Sequence, residues 1–197
     1  FIDGSDGNAI AMDGFISGNI ALIENWVNQG GRLFLNAAPN LGGNMNWGFG
    51  GVTLDYNGGQ ATGNAVVPGH PIFIGPFVPV TTAYTGSNFT HARITGGGTT
   101  SLLEGFGDVE LSSKPWGSGL VMFGGMTTPF YHTPQIEAQN FRRNILSYAS
   151  GAPIGVAYTY LWQPTGATTQ SIVPVVSGIY TVTVSNNGCT STATINV

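Results

Sequence analysis

The sequence predicts an α/β domain over residues 1–151, built on a mostly parallel sheet with a β-rich insertion, followed by a small all-β module over residues 152–197. Three observations carry that prediction. "SGNIALIENWVNQGG" runs directly into "RLFLNA", which reads as an amphipathic helix, a tight glycine turn and a buried strand, half of an α/β unit. "LVMFGG" repeats the buried-strand pattern ahead of a second amphipathic segment, "TPQIEAQNFRRNILSYASG". After Gly151 the helical period stops, and alternating β-branched and aromatic residues run to Val197.

The elements follow in order. Phe1–Asp3 is a short apolar run that ends in the turn-forming "DGSDGN". Ile20, Ile23, Trp26 and Val27 fall on one face of the first helix, with Ser17 or Asn19 to cap its start and Gly30 to end it. Residues 41–101 are rich in Gly, Asn, Thr and Pro and read as an insertion of loops and short strands. "SLLEGFGDVELSSKPWGSGLVMFGG" supplies two or three strands, with a hairpin turn at "KPWGSG". The closing helix carries the stripe Ile136, Phe141, Ile145 and Tyr148, with Pro134 at its start and Gly151 at its end. In the tail, "SGIYTVTVSNNGCTSTATINV" reads as two strands across an "NNG" turn.

Charge is scarce. Only 7% of residues are charged, against roughly 25% in an average soluble domain, so amides and hydroxyls solvate the surface. That texture suits an extracellular or cell-surface protein. Five Lys and Arg at a net charge of −4 leave no basic stripe for nucleic acid. No apolar run reaches the roughly 18 residues of a membrane-spanning helix. The start at Phe1, inside a core-like strand, suggests a piece of something longer, whose partners include its own other domains. Cys189, the single cysteine, is either a plain buried thiol or the partner of a cysteine outside this stretch.

Both halves resemble known families. "YLWQPTGATTQSIVPVVSGIYTVTVSNNGCTSTATINV" resembles the immunoglobulin-like repeats of large surface proteins and adhesins of the Bacteroidetes, which implies export by the type IX secretion system and a spacer or adhesion role. The first cysteine usual in such repeats is replaced here by "GAPIGVAY". "FIDGSD", "NWVNQGGRLFL", "GHPIF" and "WGSGLVMFGG" before "FRRNILSYASG" resemble, in that order, the later part of a secreted, trehalose-utilisation-like class I glutamine amidotransferase domain, which implies a flavodoxin-like fold.

That second resemblance implies a place for a nucleophile, the turn after "RLFL", where active members carry a cysteine served by a histidine and a carboxylate. Here the turn is "NAAPNLGGN", without Cys or Ser. His132 is present, but Pro134 stands where the carboxylate belongs, and Glu137 is five residues away. No catalytic residue is therefore assigned, and no cofactor. If the corner binds a ligand, Asn36, Asn40, Asn44, Trp47 and His132 are expected around it. Trp47, Phe49, Tyr56, Trp116 and Tyr131 read either as sugar-stacking rings or as core. Asp3, Asp6 and Asn8 form a weak calcium candidate, with a turn as the favoured reading. His70, His91 and His132 lack metal-ligand spacing, and His70 in "PGHPIF" suits a structural turn.

The function expected from all this is non-catalytic: a surface or adhesin-type protein with a structural or binding role. Two alternatives stand beside it. One is a carbohydrate-binding or carbohydrate-processing domain that uses the cleft at the end of the Leu33–Leu35 strand. The other is a component or passenger of a secretion or gliding-motility assembly.

Overall fold

The computed structural model describes residues 1–4, 7–40, 43–57, 59–151, 159–186 and 189–197, with the side chains of residues 186 and 189 outside the description. It divides into two compact units, Phe1–Ile154 and Gly155–Val197.

In the first unit the chain order is β1 (Ile2–Asp3), α1 (Ala9–Asn28), β2 (Arg32–Asn36), β3 (Met45–Gly48), β4 (Val52–Asp55), β5 (Thr62–Ala65), β6 (Ala83–Gly86), β7 (Arg93–Gly96), β8 (Thr100–Gly105), β9 (Asp108–Trp116), β10 (Gly119–Gly124), β11 (His132–Thr133) and α2 (Gln135–Ala149). Eight strands form one sheet in the order β1-β2-β10-β9-β8-β5-β6-β11, and β3-β4-β7 form a second, small sheet.

The expected mostly parallel, flavodoxin-like sheet is not what forms. Only β1–β2 and β2–β10 pair parallel. Every other neighbour in the large sheet is antiparallel. The physical reason is connection length. Parallel neighbours need a crossover of a dozen or more residues, whereas two-residue links force hairpins. The links at Phe106–Gly107 and Gly117–Ser118 are of the second kind, and positive φ at Phe106, Gly107 and Gly117 makes those turns. The inserted strands β5 and β6 also join the main sheet instead of lying outside it.

Where the sheet is parallel, it is covered on both faces. Leu33 and Leu35 join Met12, Ile16, Val27, Trp47 and Phe123 in one buried cluster. Phe34 points the other way, into a cluster with Tyr84, Phe89, Met122, Phe141 and Ile145. That two-sided burial is why "RLFL" is a continuous apolar run and not an alternating one. Arg32 fixes the end of α2, donating from Nε to Ala149 O (3.0 Å) and from Nη2 to Tyr148 O (2.7 Å).

Both helices differ in detail from expectation. α1 begins at Ala9, ahead of the expected caps at Ser17 and Asn19. Gly14 and Gly18 each cost about 1 kcal/mol against Ala in a helix interior. Burial of Ala9, Met12 and Ile16 at helical spacing overrides that cost. Trp26 is 52% exposed. Its ring packs against Gly31, where a Cβ would lie 2.6 Å from the ring, so it covers the turn and not the core. In α2, Ile136 is 63% exposed, and the buried face instead takes in Asn140 and Asn144. Asn144 donates to Ile72 O (3.2 Å) and Phe77 O (3.1 Å) and accepts from Phe77 N (2.9 Å), so the inserted loop is held by a buried amide.

The second unit corrects the expected immunoglobulin-like module. Its described residues form one three-stranded antiparallel sheet, β12 (Thr159–Gln163), β13 (Ile179–Asn186) and β14 (Cys189–Asn196), and not two packed sheets. Tyr180 is buried in it, its hydroxyl donating to Val176 O (2.8 Å). The centre of the expected "NNG" turn and the thiol of Cys189 lie outside the described residues.

Candidate functional site

β2 ends at Asn36, where the sequence placed the corner of interest. Asn36 is 1% exposed. Its Nδ2 donates to Asp3 Oδ1 (3.1 Å) and Met126 O (3.0 Å), and its Oδ1 accepts from Met126 N (3.3 Å). The amide thus ties the end of β1 to the loop after β10. Ala37 N donates to Gly124 O (3.0 Å), and Ala37 and Ala38 are fully buried. A Cβ at Gly124 would stand 2.7 Å from Asn36 Oδ1, so the close approach needs glycine there. Ala38 O accepts from His91 Nδ1 (3.0 Å). The corner is closed by its own hydrogen bonds, and it presents no nucleophile.

His132 lies behind it on β11, 3% exposed. Its Nε2 is 2.8 Å from Thr127 Oγ1 and 3.2 Å from Phe89 O, and its ring packs on Phe89. Thr127 Oγ1 also bonds Asn88 O (2.9 Å). One hydroxyl hydrogen and one imidazole hydrogen therefore match two carbonyls, which pins the residue 88–89 loop to the residue 127–132 loop. Burial, aided by the positive charge of Arg142, holds the imidazole pKa down at about 4, so it is neutral at pH 7. Among the described residues no carboxylate hydrogen-bonds this histidine.

Two recesses open beside this knot, and Thr127 lines both. The larger, about 220 Å³, is bounded by Asn40, Ser87, Asn88, His91, Thr127 and Tyr131. It holds amides, hydroxyls, an imidazole and one phenol, and no carboxylate, ammonium or guanidinium. The smaller, about 100 Å³, opens at the ends of β1 and β2 and includes Asp3, Asn36, Thr127 and Arg142.

Of the expected ligand residues, Asn40 lines the larger recess and Asn36 the smaller. Asn44 lies in neither; its Oδ1 accepts from Tyr56 N (3.0 Å). Trp47 is wholly buried and stacks on Phe123, while Phe49 packs edge-on against Trp116, so these rings are core. Tyr56 donates to Asn40 O (2.8 Å), and only Tyr131 of the aromatic group reaches a recess. His70 accepts from Ile72 N (3.4 Å), capping the short turn Pro71–Phe73. Among the described residues no three His, Cys, Asp or Glu side chains gather to hold a metal; Asp6 of the calcium candidate lies outside them.

Sequence reasoning missed Thr127 and Arg142. "FRRN" was read only as part of the closing helix, although two of the chain's five cations sit there beside the buried Phe141. It also missed Glu110, fully buried on β9. Its Oε1 accepts from Thr90 Oγ1 (3.4 Å), while Oε2 has no partner, and the carboxyl fits because Gly63 and Gly105 leave it room. Burial pushes its pKa up to about 9, so it is protonated at neutral pH.

No protein-family model matches the chain, and no curated protein does. Among solved structures it is similar to a β-galactosidase of Rahnella sp. R3, at 13% identity over 89% of this chain and 30% of that one, with a TM-score of 0.41. A β-galactosidase of Bacillus circulans sp. alkalophilus is similar at 14% identity over 89% of this chain and 29% of that one, with a TM-score of 0.37. The chain thus spans about three tenths of each of these enzymes. Likenesses this slight assign neither a fold family nor an activity.

Proposed function

We propose that this chain is a non-catalytic, extracellular surface or adhesin-type region of a longer secreted protein, with a structural and binding role. The observation that carries the reading is the commitment of the strand-end corner. Asn36, Ala37 and Ala38 are buried and hydrogen-bonded into the sheet ends. His132, the base the sequence pointed to, is buried, neutral and bonded to Thr127, and His91 is held on Ala38 O through Nδ1. A general base needs a reachable substrate proton and a pKa near the working pH, and His132 has neither. The sparse charge supports an outside location, with partners among the protein's own further domains and the secretion or motility machinery that exports it. Labelling intact cells with an antibody against this region tests the location: signal without permeabilisation is expected, and signal only after lysis overturns it.

A specific observation favours a carbohydrate as the bound ligand. The larger recess is lined by amides, hydroxyls and an imidazole that form hydrogen bonds, beside the half-exposed ring of Tyr131. Sugar hydroxyls match such groups, and a sugar's apolar face packs on a ring. No carboxylate, ammonium or guanidinium stands among its lining residues to pair a charged ligand. Saturation-transfer NMR with D-glucose, D-galactose and D-mannose is expected to show binding that Tyr131→Ala removes. No transfer to any of the three overturns the sugar reading and leaves the non-catalytic one standing.

A further inference from the structure

The larger recess is bordered by a pair of rings. Phe130 and Tyr131 sit side by side on the short turn Pro129–Tyr131, their ring centres 5.5 Å apart and their planes at 82°. Tyr131 lines the recess, and Phe130 does not. Phe130 is 73% exposed, and among the described residues Tyr131 is its one ring contact.

The turn that carries the rings is held on three sides. Tyr131 N donates to Thr128 O (3.1 Å), and Phe130 O accepts from Gln135 Nε2 (3.3 Å) at the start of α2. The chain leaving the turn pairs His132 with Gly86 on β6. A Cβ at Gly86 would stand 2.6 Å from Tyr131 O, so the turn seats directly on that strand. Phe130 is thus an exposed ring on a fixed backbone, and a contact made on it costs little ordering of the chain.

The recess itself is small. Its volume of about 220 Å³ equals the liquid share of roughly seven waters, and lies below the roughly 300 Å³ at which pockets for larger ligands begin. One hexose unit fills such a space. Any further unit of a glycan must lie outside it, on the surface beside Tyr131.

We infer that the ligand is a neutral oligosaccharide of at least two units, with one unit in the recess against Tyr131 and the next packed on Phe130. The inference rests on the sugar reading of the recess and extends it. The perpendicular planes of the two rings give adjoining units separate faces to pack on. Phe130 offers a face and no polar group, which suits a unit whose hydroxyls stay in water while its apolar side is covered. From Gly124 to Ile136 the chain carries no Asp, Glu, Lys or Arg, so this segment offers no counterion to a sugar acid.

Isothermal titration of the folded chain tests it, with D-glucose, D-galactose and D-mannose set against maltose, cellobiose, lactose and mannobiose. At least one disaccharide is expected to bind roughly three- to tenfold tighter than its hexose, the gain of one added ring contact. Phe130→Ala is expected to remove that gain and leave the hexose affinity unchanged. Phe130→Trp is expected to keep it, since any large ring serves. Hexose binding with no disaccharide tighter overturns the inference and leaves the sugar reading standing. So does a Phe130→Ala chain that loses hexose and disaccharide alike, because Phe130 would then act only by supporting Tyr131. Failure of every hexose and every disaccharide to bind overturns both.

Discussion

The segments Leu33–Asn36 and β14 are both uncharged strands, and they are stabilised in different ways. Leu33–Asn36 is buried on both faces, between the α1-side and α2-side clusters. In β14, residues 190–196 are all exposed. One strand depends on apolar area removed from water; the other depends on its ladder to β13 and on cross-strand pairs such as Thr181–Thr194, Oγ1 to Oγ1 at 3.1 Å. The comparison teaches that low charge does not by itself signal a core, and that the two units should respond to different perturbations.

The largest effect is expected in the buried region. Phe123→Ala removes a ring that stacks on Trp47 and packs edge-on to Phe49, and is expected to cost about 3–5 kcal/mol in chemical denaturation. A loss below about 1 kcal/mol would mean the site collapses freely and the two-sided core is not the main support.

Acid and base should also act on the buried unit. His132 has a folded pKa of about 4 against an ordinary 6.5, so as pH falls from 6.5 to 4 the unfolded chain takes the proton and stability drops. Glu110 has a folded pKa of about 9 against an ordinary 4.5, so as pH rises from 4.5 to 9 the unfolded chain loses the proton and stability drops. Each slope is at most about 1.4 kcal/mol per pH unit. The two oppose one another between 4.5 and 6.5, so a stability plateau is expected there, with falls on either side. Denaturation midpoints across pH check this, and Glu110→Gln is expected to flatten the alkaline fall and to replace the plateau by a rise that continues up to about pH 6.5.

Asn36→Ala leaves Met126 N and O without their buried partner and is expected to cost roughly 1–3 kcal/mol. Asn36→Asp should not restore the loss, because a carboxylate cannot donate to Met126 O and stands against Asp3. The smallest effect belongs to the exposed sheet. Thr194→Ala removes one cross-strand hydroxyl contact and is expected to cost about 0.2–1 kcal/mol, read from amide exchange along β13.

Local signals in the sequence were sound where burial and turn chemistry agree. The β2 run, the Phe141 and Ile145 stripe and the hairpin at Gly117–Ser118 were all legible, because each depends on near neighbours. Sheet pairing was not. The parallel expectation extrapolated from the α1–β2 junction to strands that short turns in fact fold back. α1 was read short because Ser17 and Asn19 are good capping residues, while burial of Met12 and Ile16 carries the helix back to Ala9. At the site, Asn36 and Asn40 were found from the strand end, but the Trp47 side chain turned inward to Phe123. Thr127 and Arg142 were invisible because their roles arise from contacts across the fold, between β1, α2 and the loop after β10.

The central claim is that the corner at Asn36–Ala38 serves structure and binding and performs no turnover. The most direct measurement is hydrolysis by the purified chain of a panel of activated amides, esters and glycosides across the pH plateau. The account predicts rates equal to buffer for wild type and for His132→Asn alike. Turnover that follows the folded protein through purification and disappears in a folded His132→Asn variant would contradict it.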